Sequence, residues 1–549
     1  MEVHLMSSNP SIGHYLLARL YESGVHHIFG VPGDYILRFY QQLSESPIQH
    51  IGTTREDTAA FATDAYARCR GLGAMAVTYG VGALNVVNGV AGAYAESSPV
   101  VVISGAPGIK ERHEHPLLHH RFGPFRLQHE IFERITCATA VLDDPYMAFR
   151  QIDRVLAAAR EHCKPVYIEL PRDRVDVEGY PMPSESMPAP ASDAESLNEA
   201  VEETLQLLGK AASPVLIAGV ELHRRGLQDK LLSLVDKTHL PVAASLTGKS
   251  VLGERHPCYL GIYEGAMGSS LARDSVEQSD FLLMLGVTMN DIDLGIFTAK
   301  LDANRIIRAT QDEVIIHHHR YPHVLLRDFV TVLNERITPR PGIRPAVAAE
   351  PAAFDFPVKD QPMKILRLIE RLNRFLTPDM AVVSDVGDCL FAAIDLRVHE
   401  NSEFLASAYY TSMGFAVPAA LGAQIANPTR RTLVLVGDGA FQMTGTELST
   451  IARFGLNPIV IVFNNCGYST ERYILDGPFN DIACWQFERL SEVFGPLSGY
   501  SARTEDEFEN CLTQAFAQQS SPSLINVHLP PDDPSAAMRG LAEHLGKRV

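Results

Sequence analysis

Gly437-Asp438-Gly439 follows one apolar run, and Asn464-Asn465 closes the next. The runs, Thr432 to Val436 and Pro458 to Phe463, are short and β-branched, without polar alternation. That is the pattern of parallel strands buried on both faces. Between them, Thr446 to Phe454 has helical spacing. The segment therefore reads as strand–helix–strand, with an acid at the carboxyl end of one strand and an amide at the end of its neighbour. Ligands of open α/β sheets bind at that edge. A few hard protein oxygens, completed by a ligand's phosphates, are how Mg²⁺ is usually held. Gly-Asp-Gly alone is also a common turn; the paired asparagines ending the second run make the pattern specific.

The rest of the chain must position that edge. At 549 residues it is too long for one core, and length suggests three to four domains. A net charge of −18 argues against a nucleic-acid partner, which needs clustered Lys and Arg. The cysteines Cys69, Cys137, Cys163, Cys258, Cys389, Cys466, Cys484 and Cys511 are scattered, with no CxxC and no zinc spacing, so a reduced cytoplasm is the simplest reading. His317-His318-His319 has the composition of a metal tract, but such runs on loops are more often solvated. Met1 to Pro10 lacks the apolar stretch of a signal peptide. Val86 to Val102, interrupted by Glu96 and Pro99, falls short of a membrane span.

Two Pro-rich segments without period, Val175 to Glu195 and Thr338 to Pro362, read as linkers. They divide the chain into parts of roughly 175, 140 and 190 residues, ordinary domain sizes. The expected domains are residues 1–180, 196–340 and 360–549, the last ending in a helix from about Pro534. Each part alternates short apolar strands with helical patterns. The strands include His27 to Gly30, Ala76 to Tyr79, Pro99 to Ile103, Pro214 to Ala218, Phe281 to Leu285 and Ala381 to Ser384. Such alternation predicts an α/β protein of three parallel-sheet domains. A nucleotide-binding redox protein would show it too, but no G-x-G-x-x-G follows a first strand.

Further motifs agree with the first. Gly30-Val31-Pro32-Gly33-Asp34-Tyr35 ends a strand, Glu56 follows Arg55, His119-His120 are adjacent, and Glu471 follows Asn465-Cys466-Gly467-Tyr468-Ser469-Thr470. Together with the metal motif, these resemble the thiamine-diphosphate-dependent 2-oxo acid decarboxylases of the pyruvate, indolepyruvate, phenylpyruvate and branched-chain type, across essentially the whole chain. The resemblance implies pyrimidine-binding, central and diphosphate-binding domains in that order. It implies Mg²⁺ held by Asp438 and Asn465 through side chains and by Gly467 through its carbonyl, with Gly437 and Gly439 framing the diphosphate turn.

A 2-oxo acid cannot simply lose CO₂, because the carbanion left behind has no electron sink; the cofactor's thiazolium supplies one. By the resemblance, Glu56 shifts the tautomer of the aminopyrimidine that acts as base. Asp34, His119, His120 and Glu471 form the acid–base set that protonates the product, and burial of Glu471 among apolar residues would raise its pKa. Met413, in Thr411-Ser412-Met413-Gly414, stands where the family wedges an apolar side chain between the cofactor rings, and the Thr411 carbonyl accepts from the cofactor's amino group. Met413 could equally be ordinary core. Asp388 and Cys389 resemble a diphosphate-contacting turn, though the family often carries Ser or Thr at Cys389.

The family's sites lie between subunits, which implies a homodimer at least and commonly a homotetramer. Leu390, Phe391, Thr470 and Ile474 are the expected substrate pocket, with small residues Ala536, Ala537 and Gly540 on the C-terminal helix. Leucine where pyruvate-specific relatives carry an aromatic leaves room for branched, aromatic or medium-chain 2-oxo acids. A carboligase of the acetolactate synthase type is the first alternative, disfavoured by the histidine pair and Glu471. A non-catalytic protein that binds thiamine diphosphate is the second.

Overall fold

The computed structural model describes residues 9–114, 116–181, 190–339, 359–400 and 402–545. Most of the N-terminal segment and the middles of both Pro-rich segments, 182–189 and 340–358, lie outside the described residues.

Three sheets carry the fold. The first runs, in spatial order, Gln49–Gly52, His27–Gly30, Gly73–Val77, Val100–Ala106, Val166–Pro171, Ala138–Val141, every pair parallel. Both faces are covered, which is why its strands are apolar without alternation. Ala74, Ala76 and Ile103 join one buried cluster, and Met75, Val77 and Val102 join another. The strand expected at Ala76 to Tyr79 lies slightly earlier, because the chain turns after Thr78 into the helix Val81–Asn85.

The second sheet runs His319–Pro322, Glu313–Ile316, Ile306–Ala309, Phe281–Leu285, Pro214–Ala218, Val242–Ala244, Tyr259–Ile262. It is mixed rather than wholly parallel: its first two pairings are antiparallel and the rest parallel. The links from Ala309 to Glu313 and from Ile316 to His319 are too short for the crossover a parallel return requires. The third sheet runs Glu403–Ala406, Met380–Ser384, Arg431–Gly437, Ile459–Asn464, Ser523–His528, Ser498–Ala502, again all parallel. Its core includes Val382, Leu433, Leu435, Ile461 and Ile525.

The described backbone forms two compact units. One combines the residues up to 181 with Tyr410–Thr429 and Thr444–Leu456; the other holds the second and third sheets. In the first unit the helix Glu56–Arg70 is buried from Thr58 to Arg68. It packs on the all-buried helix Ala416–Ala426, where a side chain at Gly422 would run into the Ala62 carbonyl. Arg68 and Asp64 pair inside this contact at 2.7 Å, and the Arg68 guanidinium lies 5.1 Å from the Phe415 ring centroid. These contacts anchor the body of the helix that Glu56 opens.

Candidate active site

In the second unit, Gly437 pairs with Phe463 across neighbouring parallel strands, so Asp438 and the asparagines leave the sheet at one edge. Asp438 opens the helix Asp438–Thr444 and is 3% exposed. Its Oδ1 accepts from the Gly439 N–H at 2.8 Å, and its Oδ2 accepts from Cys466 at 2.6 Å and Asn465 at 3.1 Å. Burial pushes the carboxyl up to about 6 despite these donors. Among the described residues no Lys, Arg or His pairs with it. A buried carboxylate without a cationic side chain, beside an amide and a carbonyl, is a hard-oxygen set that fits Mg²⁺.

The two asparagines have different surroundings. Asn464 is buried, and its amide donates to Asn526 Oδ1 at 2.9 Å within the sheet. Asn465 lies past the strand end, and its amide donates to Ser469 Oγ at 2.9 Å. Cys466 takes the left-handed conformation (φ 59°), which turns the chain sharply between Asn465 and Gly467. At Gly467 a Cβ would stand 2.5 Å from Arg472 Nη2 and 2.8 Å from the Asn480 carbonyl, so this turn excludes larger residues. Cys466 is joined to Cys484 by a disulfide, which departs from a reading of eight reduced thiols. The pairing follows from the loop's return: Tyr468 donates to the Asn480 carbonyl at 2.9 Å and Ile482 to the Cys466 carbonyl at 3.3 Å.

In the first unit, Glu56 begins its helix, and its Oε2 accepts from Asn85 Nδ2 at 2.8 Å. The ion pair that Arg55 could have drawn from Glu56 goes to Asp57 instead, at 2.9 Å. The approach to Glu56 is anchored by Glu447, which is 0% exposed. Its carboxylate receives Thr54 Oγ1 at 2.6 Å and the Thr54 N–H at 3.2 Å. Asp34 follows the strand His27–Gly30 in a turn closed by Ile36 N–H to Gly33 O at 3.0 Å. His119 Nε2 stands 2.8 Å from Asp34 Oδ2, and the rings of His119 and His120 meet edge to face at 4.7 Å. Tyr35 braces this group by donating to the His119 carbonyl at 3.2 Å. Thr411 and Gly414 both have positive φ (55° and 85°), and Met413 between them is half-buried rather than core. Thr444 Oγ1 holds the Gly414 carbonyl at 2.7 Å, and Asn88 holds Ser412 Oγ at 2.8 Å.

Thiamine pyrophosphate enzyme models match all three parts of the chain: the N-terminal TPP binding domain at residues 10–128, the central domain at 201–334 and the C-terminal TPP binding domain at 385–527. The chain is 38% identical over 523 residues to an indole-3-pyruvate decarboxylase of Azospirillum brasilense, covering 94% of each chain. It is 35% identical over 534 residues to an alpha-keto-acid decarboxylase of Mycolicibacterium paratuberculosis, covering 95% of this chain and 94% of that one. An alpha-keto-acid decarboxylase of Mycobacterium tuberculosis matches at 35% over 535 residues, with the same coverage. The chain belongs to the thiamine-diphosphate-dependent 2-oxo acid decarboxylases.

Several residues of this decarboxylase sit differently from the sequence expectation. Cys389 is 2% exposed, and its thiol points to the Asp385 and Val386 carbonyls at 3.1 and 3.5 Å. Burial pushes the thiol up, while hydrogen bonding with Ser384 and with the Gly437 backbone acts the other way. The Asp388 carboxylate, which burial pushes up to about 6, accepts from the Ser535 N–H at 3.1 Å and so ties down the start of the C-terminal helix Ala536–Leu545. Leu390 is 1% exposed in the core of the third sheet. Phe391 instead joins Met267, Ala537, Met538 and Leu541, with Tyr473 and Ile292 against them. Ala537 is buried there, and a Cβ at Gly540 would stand 3.2 Å from the Ala266 carbonyl, so these small residues let the helix pack closely. Ala536 faces outward.

Glu471 is exposed, contrary to the expected burial. Its short helix, Ser469–Ile474, has no buried residue. Thr470 lies near Gly387, whose Cβ would stand 3.5 Å from its hydroxyl, and Ile474 is 36% exposed. Sequence reasoning missed Asn85, Glu447, Tyr473 and Met538. The first two are polar residues whose partners lie far away in the chain, and nothing local marks them. No described helix is long and apolar enough to cross a membrane.

Proposed function

We propose that this enzyme converts a 2-oxo acid to an aldehyde and CO₂ with Mg²⁺ and thiamine diphosphate, preferring branched, aromatic or medium-chain acids to pyruvate. The observation that carries the metal assignment is the buried Asp438 carboxylate, held by main-chain donors and with no cationic side chain paired to it among the described residues. Asp438 and Asn465 would hold Mg²⁺ through side-chain oxygens and Gly467 through its carbonyl, with Gly437 and Gly439 at the diphosphate. When bound, thiamine diphosphate supplies the electron sink that a departing carboxylate needs.

The chain's own residues do the rest. Glu56, oriented by Asn85, would hold or release the proton that the cofactor's aminopyrimidine needs to act as base. Met413 would support thiamine diphosphate, and the Thr411 carbonyl would accept a hydrogen bond from its amino group. Asp34 sets the orientation of His119 through Nε2. These two, with His120 and Glu471, move the proton that releases the aldehyde. The same proton donors disfavour a carboligase, whose reactive carbon must stay unprotonated until a second carbonyl arrives.

The substrate preference draws on Thr470 and Ile474 flanking Glu471, and on Phe391 packed with Met267 and Met538. Methionine adapts its shape to varied apolar partners. Each added buried methylene is worth about 0.8 kcal/mol, about fourfold in kcat/KM. Kinetics on 2-oxo acids of increasing chain length test this; a maximum at pyruvate would sink the preference.

Domain boundaries at 1–180, 196–340 and 360–549, and a homodimer or homotetramer, belong to the same proposal. The side chains of Met443, Leu475, Phe479 and Trp485 are 48%, 61%, 63% and 44% exposed near the metal loop, which suits a subunit interface. A cytoplasmic location is proposed on the scattered cysteines, which show no CxxC or zinc spacing; the Cys466–Cys484 bridge is the observation against it.

A further inference from the structure

Among the described residues, two histidine groups have the composition of a metal site, and one of them has the geometry. His317, His318 and His319 diverge: His318 meets Asn304 Oδ1 at 3.2 Å, while His319 meets Glu203 Oε2 at 3.3 Å. Asp34, His119 and His120 converge, with one ligand atom from each within 4.8 Å of the others. His120 Nδ1 is buried with no hydrogen-bond partner among the described residues. His120 has φ 64°, and the Gly80 beside it leaves no room for a side chain, because a Cβ there would stand 2.9 Å from His120 Cβ. The His120 main chain and Cβ are therefore packed directly against Gly80, which leaves the ring free to rotate about its side-chain bonds.

We propose that Asp34, His119 and His120 form a binding site for a borderline divalent cation, Zn²⁺ or Co²⁺, distinct from the Mg²⁺ position at Asp438. Two imidazoles and one carboxylate, with the fourth position left to water, is a three-ligand zinc set. Bonds of about 2.0–2.2 Å place tetrahedral ligand atoms about 3.3 Å apart. The Asp34–His119 distance of 2.8 Å must open slightly and the remaining spacings close, which side-chain rotation provides. The donor set also decides which ion enters. Imidazole suits zinc and cobalt, whereas Mg²⁺ prefers oxygen donors and remains at Asp438. Arg172 Nη1 lies 3.9 Å from Asp34 Oδ2 and opposes any cation, but its guanidinium is paired with Glu111. Occupancy withdraws ring nitrogens from proton transfer, so the bound ion inhibits. That consequence rests on the acid–base reading given above; binding itself does not.

The test uses the enzyme loaded with Mg²⁺ and thiamine diphosphate. Titration with Co²⁺ should give the intense visible bands of a four-coordinate ion, saturating at one per chain and displaced by Zn²⁺. His119→Gln and His120→Gln should each weaken binding by at least about tenfold, since losing a ligand costs no less than losing an outer-shell partner. The triple variant His317→Gln/His318→Gln/His319→Gln should bind as before. If the His119 and His120 variants fail to fold, zinc X-ray absorption of the wild-type enzyme reads the ligands directly and should show two imidazoles. Only six-coordinate Co²⁺ spectra, binding that survives loss of both histidines, or a zinc spectrum without imidazole would overturn the site. Saturable binding with unchanged turnover would uphold the site and count against the acid–base role of the cluster.

Discussion

Gly439 and Gly437 stand two residues apart in the proposed diphosphate turn and should respond differently to the same methyl group. A Cβ at Gly439 would lie 3.0 Å from Tyr468 Cδ1 and 3.3 Å from Cζ, with Cε1 closer still. At Gly437 nothing lies within 4 Å. Carbon atoms prefer separations of about 3.5–4.0 Å, so Gly439→Ala forces the Tyr468 ring away by roughly 1 Å. Overpacking of this kind costs about 1–3 kcal/mol. Tyr468 follows Gly467 directly, so the displacement reaches the carbonyl proposed to hold Mg²⁺, and disturbed ligand support costs about 10–100-fold in metal affinity. Gly437→Ala should leave stability unchanged, and should weaken thiamine diphosphate binding if the cofactor occupies the open space beside it. The assays are thermal unfolding of the metal-free protein and Mg²⁺ titration of cofactor binding. Gly439→Ala/Tyr468→Ala should recover much of the loss, because contacting pairs couple by about 0.5–3 kcal/mol. A Gly439→Ala protein with unaltered stability and Mg²⁺ affinity, or a double variant no better than the single, would refute the reasoning.

Glu471→Gln should lower turnover by about 10²–10⁴-fold while cofactor affinity stays near wild type, measured by steady-state kinetics against cofactor titration; equal losses in both would count against a catalytic role. Glu447→Gln removes a buried charged acceptor from Thr54 and should destabilise by about 1–3 kcal/mol in urea unfolding, with weaker cofactor activation because the approach to Glu56 loosens. Glu505 is buried, and chiefly through its hydrogen bonds from Arg367 its pKa drops from 4.5 to about 2. A lowered acid pKa contributes stability that is fully present above 4.5 and lost as pH falls towards about 2, at most about 3 kcal/mol here. Urea midpoints measured down this range should fall, and Arg367→Ala should flatten the dependence.

Much of the third sheet was legible because its strands are buried on both faces and carry the plain apolar signal of that environment. The antiparallel edge of the second sheet was not, since short connections rather than strand composition decide direction there. The proposed metal turn was legible as a pair of strand ends, but only the structure separates Asn464, which bonds within the sheet, from Asn465 beyond it. Leu390 illustrates the opposite failure: an apolar residue next to a turn reads the same whether it lines a pocket or fills a core. The three adjacent histidines drew attention as a metal tract, while the convergent group joins residues far apart in the chain, which composition cannot show. The Cys466–Cys484 bridge was hidden because its spacing matches no motif and depends on how the loop returns.

Product analysis tests the central claim most directly. The purified enzyme with Mg²⁺ and thiamine diphosphate, given a branched or aromatic 2-oxo acid in D₂O, should release CO₂ and aldehyde in equal amounts, with deuterium at the aldehyde carbon. Acyloin as the main product, or cofactor binding without CO₂ release from any 2-oxo acid tried, would contradict it.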